Sequence, residues 1–156
     1  MMGNILVAAC RLLLGLIFVV AAAGKLAKPV QFMGDMAAYE MVPGAVLPWA
    51  ASMLPMVEAV AGLVLLAGVP FAFSRSKRPV LGIWLTSAAW AVAGMLVMFI
   101  VALSVVILQG KSLDCGCFDM LGRYLPIAHS SKVDWGIVGR DFVMLAMAVP
   151  PLWRGR

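Results

Sequence analysis

The chain has 156 residues, of which 64% are hydrophobic and 12% charged, with a formal net charge of +5; its mean hydropathy is +1.04. Water-soluble domains keep roughly a quarter of their residues charged, so there is too little polar surface for an aqueous fold, and the length allows a single domain over 1–156. The basic residues cluster beside apolar runs, which reads as topology and lipid-headgroup contact and makes no case for nucleic acid; no internal repeat, low-complexity tract or phosphate-cradling glycine loop is present.

Four apolar runs approach the ~20 residues that cross ~30 Å of hydrocarbon. The first covers about 5–24, ILVAACRLLLGLIFVVAAAG. A secretory signal peptide carries its positive charge ahead of the apolar stretch. Here Arg11 lies inside it, so the run is expected to stay as a membrane helix although AAAGK offers small residues for cleavage. Cys10, near one end of this helix, reads as a packing residue.

In the connection that follows, Pro29 suits a helix start. Phe32, Met33, Met36 and Tyr39 recur near helical spacing with Asp35 on another side. The pattern predicts a short amphipathic helix over 29–40 lying at the membrane interface and roofing a pocket, with Pro43 and Pro48 beyond its end. The second run covers about 48–70. The third, 80–109, is overlong and must tilt or extend beyond the hydrocarbon. The fourth, about 135–153, is the least hydrophobic because it contains Arg140 and Asp141; Asp134 or Ser131 is its candidate N-cap and Trp135 its interfacial anchor. The fold class is therefore an all-α integral membrane four-helix bundle with a short interfacial helix in the first outer loop.

With four spans both termini share a side with the loop FAFSRSKRP. That side holds Arg75, Lys77, Arg78, Arg154 and Arg156 with no acid among them. The other holds Lys25, Lys28, Lys111, Arg123 and Lys132 mixed with Asp35, Glu40, Asp114, Asp119 and Asp134. Lys and Arg counts tie at five each, but the acid-free group is packed into short segments near helix ends, where it counts most. The expectation is cytoplasmic termini in a bacterial inner membrane, with the segment SLDCGCFDML, residues 112–121, on the periplasmic side.

That segment carries two of the three cysteines, Cys115 and Cys117, separated by one glycine. Exported compartments are oxidising. A bridge across Cys-Gly-Cys closes almost no loop, so it adds little to stability. Its small ring is strained and therefore more easily reduced. These energetics favour a reactive pair, Cys115 and Cys117 acting as catalytic cysteines, over a structural staple. Asp114 and Asp119 oppose thiolate formation, and Lys111 and Arg140 are candidates to offset them. Two other readings stay open: buried small hydrophobes, or a metal site using His129 and a nearby aspartate, for which zinc sites prefer wider cysteine spacing.

Ionisable residues within membrane helices carry a functional hypothesis by default. Arg11 lies about 9 Å from one end of its helix and Glu58 about 15 Å down the antiparallel second helix. An Arg11–Glu58 pair is therefore expected, either fixing helix register or handling protons. Arg140 and Asp141 lie near the outer end of the fourth helix, and Asp141 is an alternative partner for Arg11 or Lys25.

Arg11 with GLIFVVAAAGKLAKP, then AYEMVP, PMVEAVAGLVLLAG, CGCF and WGIVGRDFVML together resemble the methylamine-utilisation MauE branch of the DoxX-like membrane proteins over nearly the whole chain. CGCF followed by a tryptophan and an Arg-Asp pair is the most specific part; Asp119 stands where family members often have glycine. The resemblance implies disulfide formation or maintenance in exported proteins beside a thioredoxin-like partner. It also implies a four-helix arrangement similar to the quinone-linked disulfide-forming enzymes. Those enzymes relay through a second cysteine pair, which this chain lacks. A quinone, as possible cofactor, is expected near Trp90, Trp135 and Arg140. The rival classes are a non-catalytic assembly factor for a disulfide-containing exported protein and a metal-binding or transport protein.

Overall fold

The computed structural model describes residues 2–40, 42–73, 79–110 and 135–154. Five α-helices and one short 3-10 turn account for them, and no strand occurs among the described residues. Helix α1 is Met2–Ala27, α2 Pro29–Ala38, α3 Leu47–Ala67, α4 Pro79–Leu108 and α5 Trp135–Arg154, with the 3-10 turn at Pro70–Ala72. Four are long and apolar enough to cross a bilayer, over Gly3–Ala27, Leu47–Ala67, Val80–Leu108 and Trp135–Trp153.

Each helix starts or stops for a local reason. Pro29 stands at the start of α2, where a missing N–H costs nothing. That helix ends as Glu40 turns to a φ of 54°, a left-handed conformation that closes the helical run. α3 ends at Ala67, and the cap residue Gly68 donates its N–H to the Val64 carbonyl at 3.0 Å and to that of Leu65 at 3.1 Å before the chain tightens into the 3-10 turn. At the far end of α4, Gly110 adopts a φ of +67° and its N–H bonds the Ile107 carbonyl at 3.0 Å. Glycine is suited to that left-handed turn after a helix. Hydroxyls within the spans bond their own helix: Thr86 to the Gly82 carbonyl at 2.9 Å and Ser104 to Ile100 at 2.7 Å. A polar group is thereby satisfied without help from lipid, which offers none.

The four long helices form a ring in which α1 packs on α3 and α5, and α4 on α3 and α5; α2 lies across α3 and α1. Leu14 and Phe18 of α1, Leu65 of α3, Val92 and Leu96 of α4 and Met144 of α5 meet at the centre. A second cluster joins Ile100 and Leu103 of α4 to Ile137 and Val138 of α5, with Tyr39 packed against it. The tightest seam is α1 on α3. A Cβ built on Gly15 would lie 2.9 Å from the Gly62 carbonyl oxygen, and one on Gly62 would lie 3.0 Å from that of Gly15. Small residues let membrane helices approach to backbone contact, where dispersion replaces the missing hydrophobic drive. This contact sets the register that positions every charge below.

Candidate functional site

The Gly15–Gly62 contact places Arg11 opposite the C-terminal end of α3, not opposite Glu58. Arg11 Nη1 donates to the Gly68 carbonyl at 3.0 Å. It thus caps a helix end whose last carbonyls lack intrahelical partners. The expected Arg11–Glu58 pair is therefore corrected: Glu58 pairs with Lys25. Depth counted from the first apolar residue misplaced Arg11, because α1 and α3 are matched at their glycines and not at the ends of their apolar runs.

Lys25 lies near the end of α1, where a lysine can extend to the interface. Instead its Nζ points into the bundle and donates to Glu58 Oε1. The same ammonium lies 5.2 Å from the Phe32 ring centroid and 4.8 Å from that of Phe99. Both distances suit cation–π attraction. Lys25 is 3% exposed and Glu58 1%. The second carboxylate oxygen, Glu58 Oε2, is buried with no hydrogen-bond partner among the described residues, as is Arg11 Nε.

A second pair lies close by. Arg140 donates to Asp141 Oδ1 from Nε at 3.3 Å and from Nη2 at 3.2 Å. Asp141 is buried, whereas the Arg140 side chain is 40% exposed. Among the described residues the hydrogen bonds to Asp141 come from its neighbour in sequence and not from Arg11 or Lys25.

These two pairs border a cavity of about 670 Å³. Apart from Tyr39 the rest of its wall is apolar: Phe18 from α1, Phe32 and Met36 from α2, Met53 from α3, Phe99 from α4 and Met144 from α5 all contribute. A volume of this size, mostly apolar with a few convergent polar groups, is characteristic of small-molecule sites. The short helix α2 roofs it, as its amphipathic pattern predicts.

Of the sequence candidates, Lys25, Glu58, Arg140 and Asp141 converge at this cavity, and Arg11 sits at the other end of the α1–α3 seam. Trp90 and Trp135 are exposed and do not line it. Cys10 is buried. Cys115, Cys117, Lys111 and His129 lie outside the described residues. No group of three or more His, Cys, Asp or Glu side chains able to hold a metal occurs among the described residues. Phe99 and the methionines of α3 and α4 were not singled out from sequence. α4 is apolar all round, so no periodicity marks the face that looks into the cavity.

Four membrane-length helices around an apolar cleft bordered by a buried ion pair define a multi-span membrane protein with a candidate small-molecule site. The family described as methylamine utilisation protein MauE matches residues 3–154. The chain belongs to that family. It is 32% identical over 142 residues to the methylamine utilization protein MauE of Paracoccus denitrificans, covering 90% of this chain and 65% of that relative. The chain thus spans just under two thirds of the relative's length. No solved structure matches.

Proposed function

We propose that this protein is a membrane thiol-disulfide redox protein serving methylamine utilisation, with Cys115 and Cys117 exchanging a disulfide with a periplasmic thioredoxin-like partner or client. One thiolate of a reduced partner attacks a sulfur of the Cys115–Cys117 bridge and displaces the other cysteine as thiolate. The partner's second thiolate then resolves the mixed disulfide. The partner leaves oxidised, and two electrons and two protons remain on the Cys115–Cys117 dithiol. A membrane quinone, where bound, supplies the two-electron, two-proton acceptor that restores the bridge.

The observation that carries the reading is the position of the candidate site. α4 ends and α5 begins at the cavity end of the bundle, where Leu103, Ile137 and Val138 pack together, and residues 111–134 with the cysteine pair connect those two helices. The residues present fit a quinone head. The chamber is large enough and apolar, Phe99 offers a ring face, and Arg140 borders it. Family membership and the printed name of the Paracoccus relative support the pathway. The acid-free cluster Arg75, Lys77, Arg78, Arg154 and Arg156 supports cytoplasmic termini in an inner membrane.

The test is the redox state of the pair in cells. Acid-quenched cells are labelled with a large maleimide, with and without depletion of respiratory quinone. Cys115 and Cys117 are expected to be oxidised normally and reduced on depletion. A state that ignores quinone removes the acceptor step. Full function in a Cys115→Ser, Cys117→Ser double variant transfers the protein to the class of docking and assembly factors.

A further inference from the structure

We infer that the chamber beneath α2 binds a neutral, membrane-soluble molecule whose head carries a hydroxyl, and that this hydroxyl donates to Glu58 Oε2. The argument starts from the orphaned oxygen. A carboxylate accepts hydrogen bonds at both oxygens, and a buried charged acceptor left without a donor is more costly than most unmade bonds. Glu58 is 1% exposed and borders the chamber. Its first oxygen is occupied by Lys25 while the second has no partner among the described residues.

Lys25 is committed to Glu58 Oε1 and to the Phe32 and Phe99 faces. The open valence of the dyad is thus an acceptor, and it selects a donor head. Charge narrows the ligand further. Among the described residues that line the chamber, Lys25 and Arg140 balance Glu58 and Asp141, which favours a neutral ligand over a cation or an anion. The remaining wall of Met, Phe, Leu and Ala suits hydrocarbon or an aromatic ring. Glu58 is nine residues along α3 from Trp49, about 14 Å at 1.5 Å per residue. Met53, Val57, Met98 and Val101, which line the chamber, are also exposed on the membrane-spanning surface, so a ligand that partitions into the bilayer suits it. Two sources share this chemistry, an aromatic hydroquinone and an aliphatic prenyl alcohol. The inference shares its chamber with the quinone of the redox reading and deepens that part of it; the site requires neither cysteine, so loss of disulfide exchange and loss of binding are separable.

The experiment uses the full chain in phosphatidylcholine nanodiscs under anaerobic conditions, titrated calorimetrically with a decyl-substituted benzoquinol, its dimethyl ether and farnesol. A hydrogen bond to a charged acceptor corresponds to roughly tenfold to a hundredfold in affinity. A hydroxyl-bearing probe is therefore expected to bind at least tenfold more tightly than the ether. Preference for the quinol over farnesol assigns the aromatic source, and the reverse assigns the aliphatic one. Filling the chamber from opposite walls, with Ala21→Phe and Ala102→Phe, is expected to abolish binding. The Cys115→Ser, Cys117→Ser variant is expected to bind as the wild type does, even where disulfide exchange is lost. Equal affinity for quinol and ether, as when a water occupies Oε2, overturns the inference, and so does binding that survives both filling variants.

Discussion

At the scale of single residues, the consequential choice is the direction taken by Lys25. An ammonium within easy reach of the interface is turned inward to a carboxylate, and the desolvation of both ions is offset by their mutual attraction and by two aromatic faces. Such a pair is weak evidence for stability, but breaking it on one side is costly because it strands a buried charge. Lys25→Met is therefore expected to destabilise the bundle by about 3–5 kcal/mol, read as a lower unfolding midpoint in detergent. Lys25→Met combined with Glu58→Leu is expected to recover to within about 1 kcal/mol of wild type, since apolar replacement of both partners is often neutral. A double variant no better than the single one would mean that the pair does not act as a unit. Sequence singles out Arg11, Glu58, Arg140 and Asp141, because charge inside an apolar run is conspicuous, and offers Lys25, just past the first run, only as an alternative partner for Asp141. It did not identify their partners. Pairing depends on register to within one helical turn, and the apolar runs are frayed by more than that at their ends.

Among elements, the register is held by the α1–α3 glycine seam, and the same substitution at two glycines separates its effect from helix propensity. Alanine favours a helix interior over glycine by about 1 kcal/mol wherever there is room. At Gly34 of α2 a Cβ meets nothing within 4 Å, so Gly34→Ala is expected to raise the unfolding midpoint slightly. At Gly15 the Cβ would lie 2.7 Å from Leu66 Cγ and 2.9 Å from the Gly62 carbonyl oxygen. Leu66 can rotate aside, but the backbone oxygen moves only with its helix. Gly15→Ala is thus expected to lower the midpoint, with overpacking of about 1–3 kcal/mol exceeding the propensity gain. A rise at both positions would refute the close seam. The helices themselves were legible from hydrophobic run length, and α2 from its proline and its spaced aromatics. The chamber was not. Phe99 and Met95 lie in a span whose every face is apolar, so nothing in the pattern separates the lining from the lipid-facing side.

For the whole molecule, the tryptophans mark where a membrane fits. All five are exposed. Trp49 and Trp135 stand at the starts of α3 and α5, the cavity end, while Trp84 and Trp153 stand at the opposite end near the start of α4 and the end of α5. From Trp135 to Trp153 the helix rises about 27 Å, close to the ~30 Å thickness of hydrocarbon, and indole rings favour the two interfaces that bound it. On this frame α4, with 30 residues, is about 45 Å long and must tilt or project past the headgroups. Four crossings put the first and last helix ends on one side and residues 28–46 with 111–134 on the other. A chain that crosses four times is expected to carry the cysteine pair and Ser76, which belongs to the connection between α3 and α4, on opposite sides of the bilayer. In right-side-out vesicles a membrane-impermeant maleimide is expected to label reduced Cys115 and Cys117, whereas a single Ser76→Cys in a cysteine-free background is labelled only in inverted vesicles. Equal labelling of both sites from one face would break the four-span arrangement, while exchange of the two faces would keep the arrangement and reverse its orientation. The latter result would place the cysteine pair in the reducing cytoplasm, where a strained bridge does not persist, and the redox reading would fall with it.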